Sequence, residues 1–173
     1  AGIGMYGLSP DPSVASAQEL GVTPVMTLSA PLTSVKVIEE GTPASYGGTW
    51  QAPSRRWVGL VPLGYGDGIL RAASNGAPVA VETESGLVKA HIVGRICMDQ
   101  FIIDLGPAEG QEGTATQDSG TAPAKVGDRA ILFGDPAKGY PIADEWAAHA
   151  GTINYEVITR LGERIPRQYV NEE

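Results

Sequence analysis

Cysteine is almost absent from this 173-residue chain: Cys97 stands alone. No internal disulfide can form, and nothing points to an oxidising compartment. Long apolar runs are missing too, since no stretch approaches the roughly 20 apolar residues that a membrane-spanning helix needs. The opening AGIGMYGLSP has neither a basic start nor a long apolar core, so a secretory signal is not expected there. It also starts without Met, as a trimmed or excised piece of a longer chain would. Positive charge is scarce: 12 Lys and Arg stand against 20 Asp and Glu, a net charge of −8. Such a chain repels phosphate backbones and anionic lipid heads, which argues against nucleic-acid and membrane partners. The two histidines, His91 and His149, are too few for a metal cluster, and a lone His on a strand or helix is usually structural. There is no phosphate loop, no C-x-x-C and no Ser/His/Asp pattern.

What is present is an ordinary globular balance, 42% hydrophobic, in a chain of single-domain length. Gly (23) and Pro (13) punctuate short apolar runs, spacing that suits a β-rich fold with many turns. Residues 25–38 (VMTLSAPLTSVKVI) read as a strand pair or one bent strand, with Pro31 marking a break or an edge. Further strands are expected at 57–63, 78–81, 91–93, 96–105 and 129–133. Residues 106–124 (GPAEGQEGTATQDSGTAPA) hold no aromatic or branched aliphatic side chain. They cannot bury enough apolar surface to offset the entropy of ordering, so an exposed, mobile loop is expected. Residues 141–150 (PIADEWAAHA) form the best helix candidate, with Ile142, Trp146 and His149 or Ala150 on one face. Asp144 and Glu145 suit its first turn, and Gly151 its stop. The tail is expected to be exposed beyond Tyr169.

Tyrosine is the one candidate reactive group that recurs in glycine-flanked or loop-like contexts: Tyr46 in ASYGGTW, Tyr65 in LGYGDG and Tyr155 in TINYEV. A phenol, with an ordinary pKa of about 10, can act as acid or base where positive charge stabilises its anion. Flanking glycines permit tight turns and close ligand approach. Against this stands a plain alternative, in which SYGGT and GYGDG are β-turns with an amphipathic tyrosine packed beside them. Asp67 suits turn formation, and Cys97, between Ile96 and Met98, suits a buried inert thiol. Asp99 and Asp104 flank an apolar run on opposite strand faces, which is no paired-carboxylate site.

In order, GIGMYGLSP, PVMTL, SYGGTW, VPLGYGDG, GRICMDQFIIDLG, VGDRAILFG and GTINYEVITRLGERIPRQY resemble the C-terminal half of alanine racemases over nearly the whole chain. GRICMDQ and GTINYEV are the specific segments. The departures are the long 106–124 insertion and Ile142 where the family often has a Ser or Thr cap. The resemblance implies one domain over residues 1–173, mainly β, a Greek-key-like barrel or sandwich with a short helix near the C-terminus. It implies an enzyme that interconverts L- and D-alanine with pyridoxal 5′-phosphate as cofactor. The cofactor lysine would lie on an N-terminal α/β barrel, and a head-to-tail homodimer would let this domain complete the partner subunit's active site. Tyr46 matches the family's second catalytic base. Tyr155 matches a ligand of the cofactor phosphate, and Gly2 and Ile3 match backbone donors to it. Met98 matches a backbone donor to the substrate carboxylate, Tyr65 narrows the entrance, and Arg71, Arg95 and Ile153 line the entry corridor. Ala1 stands where that phosphate motif has Pro, and Lys36, Lys89, Lys125 and Lys138 lie in no context like the cofactor lysine's. The fragment alone is therefore expected to be inactive. D-alanine implies cell-wall precursor supply in a bacterial cytoplasm. The rivals are the β-domain of a related barrel-type decarboxylase, a racemase of broader range, and a free-standing β-barrel binding module with the tyrosines as contacts.

Overall fold

In a computed structural model, residues 2–108 and 121–170 are described. Among the described residues the short apolar runs become nine strands: β1 (Leu28–Pro31), β2 (Ser34–Ile38), β3 (Pro43–Ala44), β4 (Trp50–Gln51), β5 (Arg56–Val61), β6 (Pro78–Thr83), β7 (Gly86–Val93), β8 (Phe101–Pro107) and β9 (Arg129–Phe133). Seven of them form one antiparallel sheet in the order β1-β9-β6-β7-β8-β5-β2, while β3 and β4 pair as a small ribbon. Residues 25–38, expected as a strand pair or one bent strand, form two strands with the break after Pro31, but β1 and β2 do not pair with each other and lie at opposite ends of the sheet order. Only Leu32 and Thr33 separate them, a span of at most about 10 Å, so the sheet must curl until its two ends meet. Leu32 N–H donates to Asp128 O (2.8 Å) on one side, and Thr33 N–H to Leu60 O (3.0 Å) on the other. The result is a half-barrel. Pro31 ends an edge strand, where its missing N–H costs no ladder bond.

The barrel interior follows from the period-2 pattern of the strands. Val79 and Val81 of β6, Ile92 of β7, Phe101, Ile103 and Leu105 of β8, and Leu132 of β9 are buried in one core. Two helices join it: α1 (Ala143–Ala150) through Trp146, and α2 (Asn154–Thr159) through Val157 and Ile158. The Trp146 ring satisfies its N–H on Pro78 O at 3.0 Å. Glu145 accepts the Ile142 N–H (2.9 Å), so the missing Ser or Thr cap of α1 is half replaced by a carboxylate in its first turn. Gly151, at φ +67°, ends α1 as expected.

Three expectations change. Among the described residues there are two short helices, and in α2 (NYEVIT) every residue but Glu156 is a weak helix former. Burial of Val157 and Ile158 supplies what local propensity does not. The strand expected at 96–105 begins only at Phe101, because Cys97 N–H closes a turn onto Gln100 O (2.9 Å). Asp99 therefore lies in that turn and not on a strand face. Of the expected mobile loop, Gly106 and Pro107 belong to β8, and Ala108 and Ala124 are buried; residues 109–120 lie outside the described residues.

Candidate functional site

Four backbone connections bring the tyrosine-bearing segments together. The first carries Tyr46 on a tight 3-10 turn (Tyr46–Gly48) inside the β3–β4 ribbon. The second holds Tyr65 on another 3-10 turn (Tyr65–Asp67). The third is the 94–100 turn with Arg95, Cys97 and Met98, and the fourth is the approach to α2, with Ile153 and Tyr155.

The second and third segments are stitched main chain to main chain. Tyr65 N–H donates to Cys97 O (3.0 Å) and Gly66 N–H to Met98 O (2.8 Å). A Cβ at Gly64 would fall 2.3 Å from both carbonyl oxygens, so only glycine allows this approach. Asp67 is buried and acts as the sequence suggested: its Oδ2 accepts the Gly64 N–H at 2.8 Å and closes the turn. Arg164, from the tail, then bridges the two segments, with Nε 3.1 Å from Asp67 Oδ1 and Nη2 2.5 Å from Asp99 Oδ1. α2 joins through its C-terminal end, where Gly162 N–H donates to Asp67 O (2.8 Å).

The first and third segments also interlock. Ser45 Oγ donates to Arg95 O at 2.6 Å, and the Arg95 guanidinium lies so close to Gly47 that a Cβ there would be 2.9 Å from its Nη1. Arg71 opens a 3-10 turn (Arg71–Ala73) tied to the same cluster, since Ser74 Oγ donates to Arg71 O (2.6 Å) and accepts from Ile96 N–H (3.0 Å). Asn75 bridges back, accepting from Gly94 N–H and donating to Thr49 Oγ1.

Tyr46, Tyr65, Arg71, Arg95 and Met98 thus share one loop cluster, and several large side chains there and at the start of α2 face solvent. Tyr46 is 73% exposed, Ile153 62%, Met98 53% and Tyr65 41%. The plain alternative of tyrosines packed beside β-turns fails for Tyr46, whose ring covers little of its own domain. Gly2 and Ile3 stand apart from these contacts. The Ile3 side chain is buried in the core, which leaves only backbone groups there to meet a ligand. The N-terminal segment nevertheless reaches Tyr155's helix: Asn154, buried beside Tyr155, donates to Ser9 O (2.8 Å) and Asp144 Oδ1 (2.6 Å). Burial pushes the Asp144 carboxyl above its ordinary range, and the Asn154 amide opposes the shift.

Sequence reasoning missed Ser45, Asn154 and Arg164, although all three lie inside the quoted motifs. Ser45 carries no sequence signal beyond sitting next to Tyr46. Cys97, expected to be buried and inert, is half-buried with Sγ 3.3 Å from Ser45 Oγ. Among the described residues no group of three His, Cys, Asp or Glu side chains could hold a metal ion, and no helix is long and apolar enough to cross a membrane.

The chain is a curled antiparallel half-barrel with solvent-facing tyrosines on glycine-built loops. The sequence profile of the alanine racemase C-terminal domain matches residues 25–169, and the chain belongs to that family. It is 46% identical over 171 residues to an alanine racemase from Streptomyces coelicolor, covering 99% of this chain and 39% of the relative. One from Thermobifida fusca is 44% identical over 168 residues, 97% of this chain and 39% of the relative. The solved alanine racemase from Streptomyces coelicolor A3(2) superposes with a TM-score of 0.84 at 44% identity, covering 99% of this chain and 40% of that one. The biosynthetic enzyme from Pseudomonas aeruginosa gives 0.80 at 35%, covering 98% and 41%. The chain thus spans about two fifths of the length of the relatives it matches.

Proposed function

We propose that this domain supplies the tyrosine base for the interconversion of L- and D-alanine, in an active site shared with the N-terminal barrel of a partner subunit in a homodimer. The observation that carries the reading is Tyr46: a phenol 73% exposed, yet held on a turn fixed to its neighbours by hydrogen bonds. Inverting an α-carbon needs one acid/base on each face of the substrate. Tyr46 serves one face, taking the α-proton of L-alanine at its hydroxyl oxygen. A lysine from the partner barrel serves the other, since none of this chain's lysines lies on the tyrosine-bearing loops.

Pyridoxal 5′-phosphate fits the donor set that is present. A phenol O–H at Tyr155 and the backbone N–H groups of Gly2 and Ile3 are neutral donors suited to a phosphate's oxygens, and a would-be Cβ at Gly2 meets no atom within 4 Å. When bound, the cofactor would supply the electron sink that lets the α-hydrogen leave as a proton. Tyr155 would hold the phosphate from this side. The Met98 N–H would orient the substrate carboxylate, while Tyr65 narrows the entrance and excludes water. Arg71, Arg95 and Ile153 would line the way in, the two cations guiding a carboxylate. The place of action that follows is the cytoplasm, feeding D-alanine to peptidoglycan synthesis. The domain alone should not racemise alanine.

The test uses a full-length protein carrying this domain, with Tyr46→Phe. Racemisation must fall in both directions, because equilibrium ties the two rates together. Proton NMR in heavy water should still show deuterium entering the α-position of D-alanine without inversion, while exchange into L-alanine becomes very slow. Equal loss for both isomers would refute the two-base assignment, and exchange surviving only in L-alanine would put Tyr46 on the wrong face.

A further inference from the structure

Among the described residues only Ser45 and Asn75 hold a positive φ without being glycine. Ser45 is the more unusual, at φ +61° and ψ −171°, a conformation that side-chain-bearing residues rarely adopt. Such a conformation persists only where surrounding contacts over-determine it, and here they do. The Ser45 hydroxyl donates to Arg95 O at 2.6 Å and lies 3.3 Å from Cys97 Sγ. On one side of it, Gly94 passes so close to the main chain that a Cβ would sit 2.5 Å from Ala44 O. On the other, the Arg95 guanidinium rests against Gly47. The turn that displays Tyr46 is therefore keyed into the segment that ends at Met98, and the key is one hydroxyl.

We infer that Ser45 is a positioning residue: it holds the Tyr46 phenol and the Met98 main chain in one fixed frame, so that base and carboxylate donor address the same substrate. The inference rests on Tyr46 being the base on the L-face. Tyr46 is exposed and has little packing of its own to orient it, so the register of its turn decides where its oxygen lies. A small displacement at this point would be costly to proton transfer, which demands reacting atoms within about 3.5 Å.

Ser45→Gly is the informative variant, because glycine accepts the positive φ while the hydroxymethyl group that makes the bond is lost. In the full-length holoenzyme it should slow deuterium exchange into L-alanine about tenfold or more, the order expected for losing one oriented hydrogen bond. Exchange into D-alanine should change by less than about twofold, because the lysine on the other face is untouched. Without substrate, amide hydrogen exchange read by mass spectrometry should quicken in the peptide spanning residues 44–50. Ser45→Ala, which keeps the strained φ, should show the same asymmetry with a lower melting temperature. Equal slowing for both isomers in Ser45→Gly, or no slowing, overturns the positioning role. Tyr46→Phe separates the two levels. If it is asymmetric while Ser45→Gly is not, only this inference falls; if it is symmetric, the base assignment and the inference fall together.

Discussion

The loop cluster around Tyr46 and Tyr65 and the sheet beneath it are ordered by different means. In the sheet, ladders and side chains do the holding: Asp104 of β8 is buried against Arg56 of β5, with Nε–Oδ1 at 2.8 Å and Nη2–Oδ2 at 2.7 Å. Near the end of β6, Tyr140 and Arg129 converge on Glu82. In the loop cluster the main chain itself is the contact surface, and the absence of side chains at Gly64, Gly68 and Gly94 is what lets the segments meet. Exposed phenols are not fixed by burial, so their turns are fixed from behind, by close backbone approaches together with the bonds of Ser45, Asp67 and Ser74.

The largest effect should come from the sheet. Asp104→Ala removes one partner of a nearly buried pair and leaves the Arg56 guanidinium without its counter-charge, a loss of about 3–5 kcal/mol. Melting of the full-length protein should drop accordingly, while KM of the surviving folded enzyme stays near wild type. A shift in KM as large as the loss of stability would mean that sheet and loops are not energetically separate.

Gly68→Ala should come next, at about 1–3 kcal/mol or more, by overpacking. Its Cβ would stand 2.0 Å from Arg160 O, and its φ of +99° disfavours any side chain. Unlike the change at Asp104, this one should lower kcat/KM together with the melting temperature, because the displaced segment carries Tyr65. Unaltered kinetics in the folded fraction would break the claim that glycine approaches set the site.

The smallest effect should be Tyr140→Phe, below about 1 kcal/mol for a partly exposed contact. Its sign with pH is definite. The Tyr140 hydroxyl, followed by Arg129, holds the Glu82 carboxyl below its ordinary range. A lowered carboxylate pKa contributes stability above the unfolded value, about 4.3, which is lost as pH falls through the folded one. The penalty for losing the hydroxyl should therefore be full near neutrality and fade in acid. Melting curves at a series of pH values would check this, and a penalty that grew in acid would contradict it.

Local chemistry by itself determined a good deal of this protein. Period-2 apolar runs broken by glycine and proline marked most strands, the acidic first turn and Gly151 marked α1, and Asp67 read correctly as a turn former. Motif order alone pointed to the family and to its three tyrosines. What those runs could not say is which strand pairs with which. Only the tertiary structure sends β1 and β2, two residues apart, to opposite ends of the sheet, because pairing depends on how the whole sheet curls around its core. Helix α2 is a second case, since residues with little helical preference of their own become helical where Val157 and Ile158 are buried. Ser45, Asn154 and Arg164 are the third. Each works through a partner that lies far along the chain, Arg95, Ser9 and Asp67 respectively, and contacts across such separations exist only once the fold has brought the segments together.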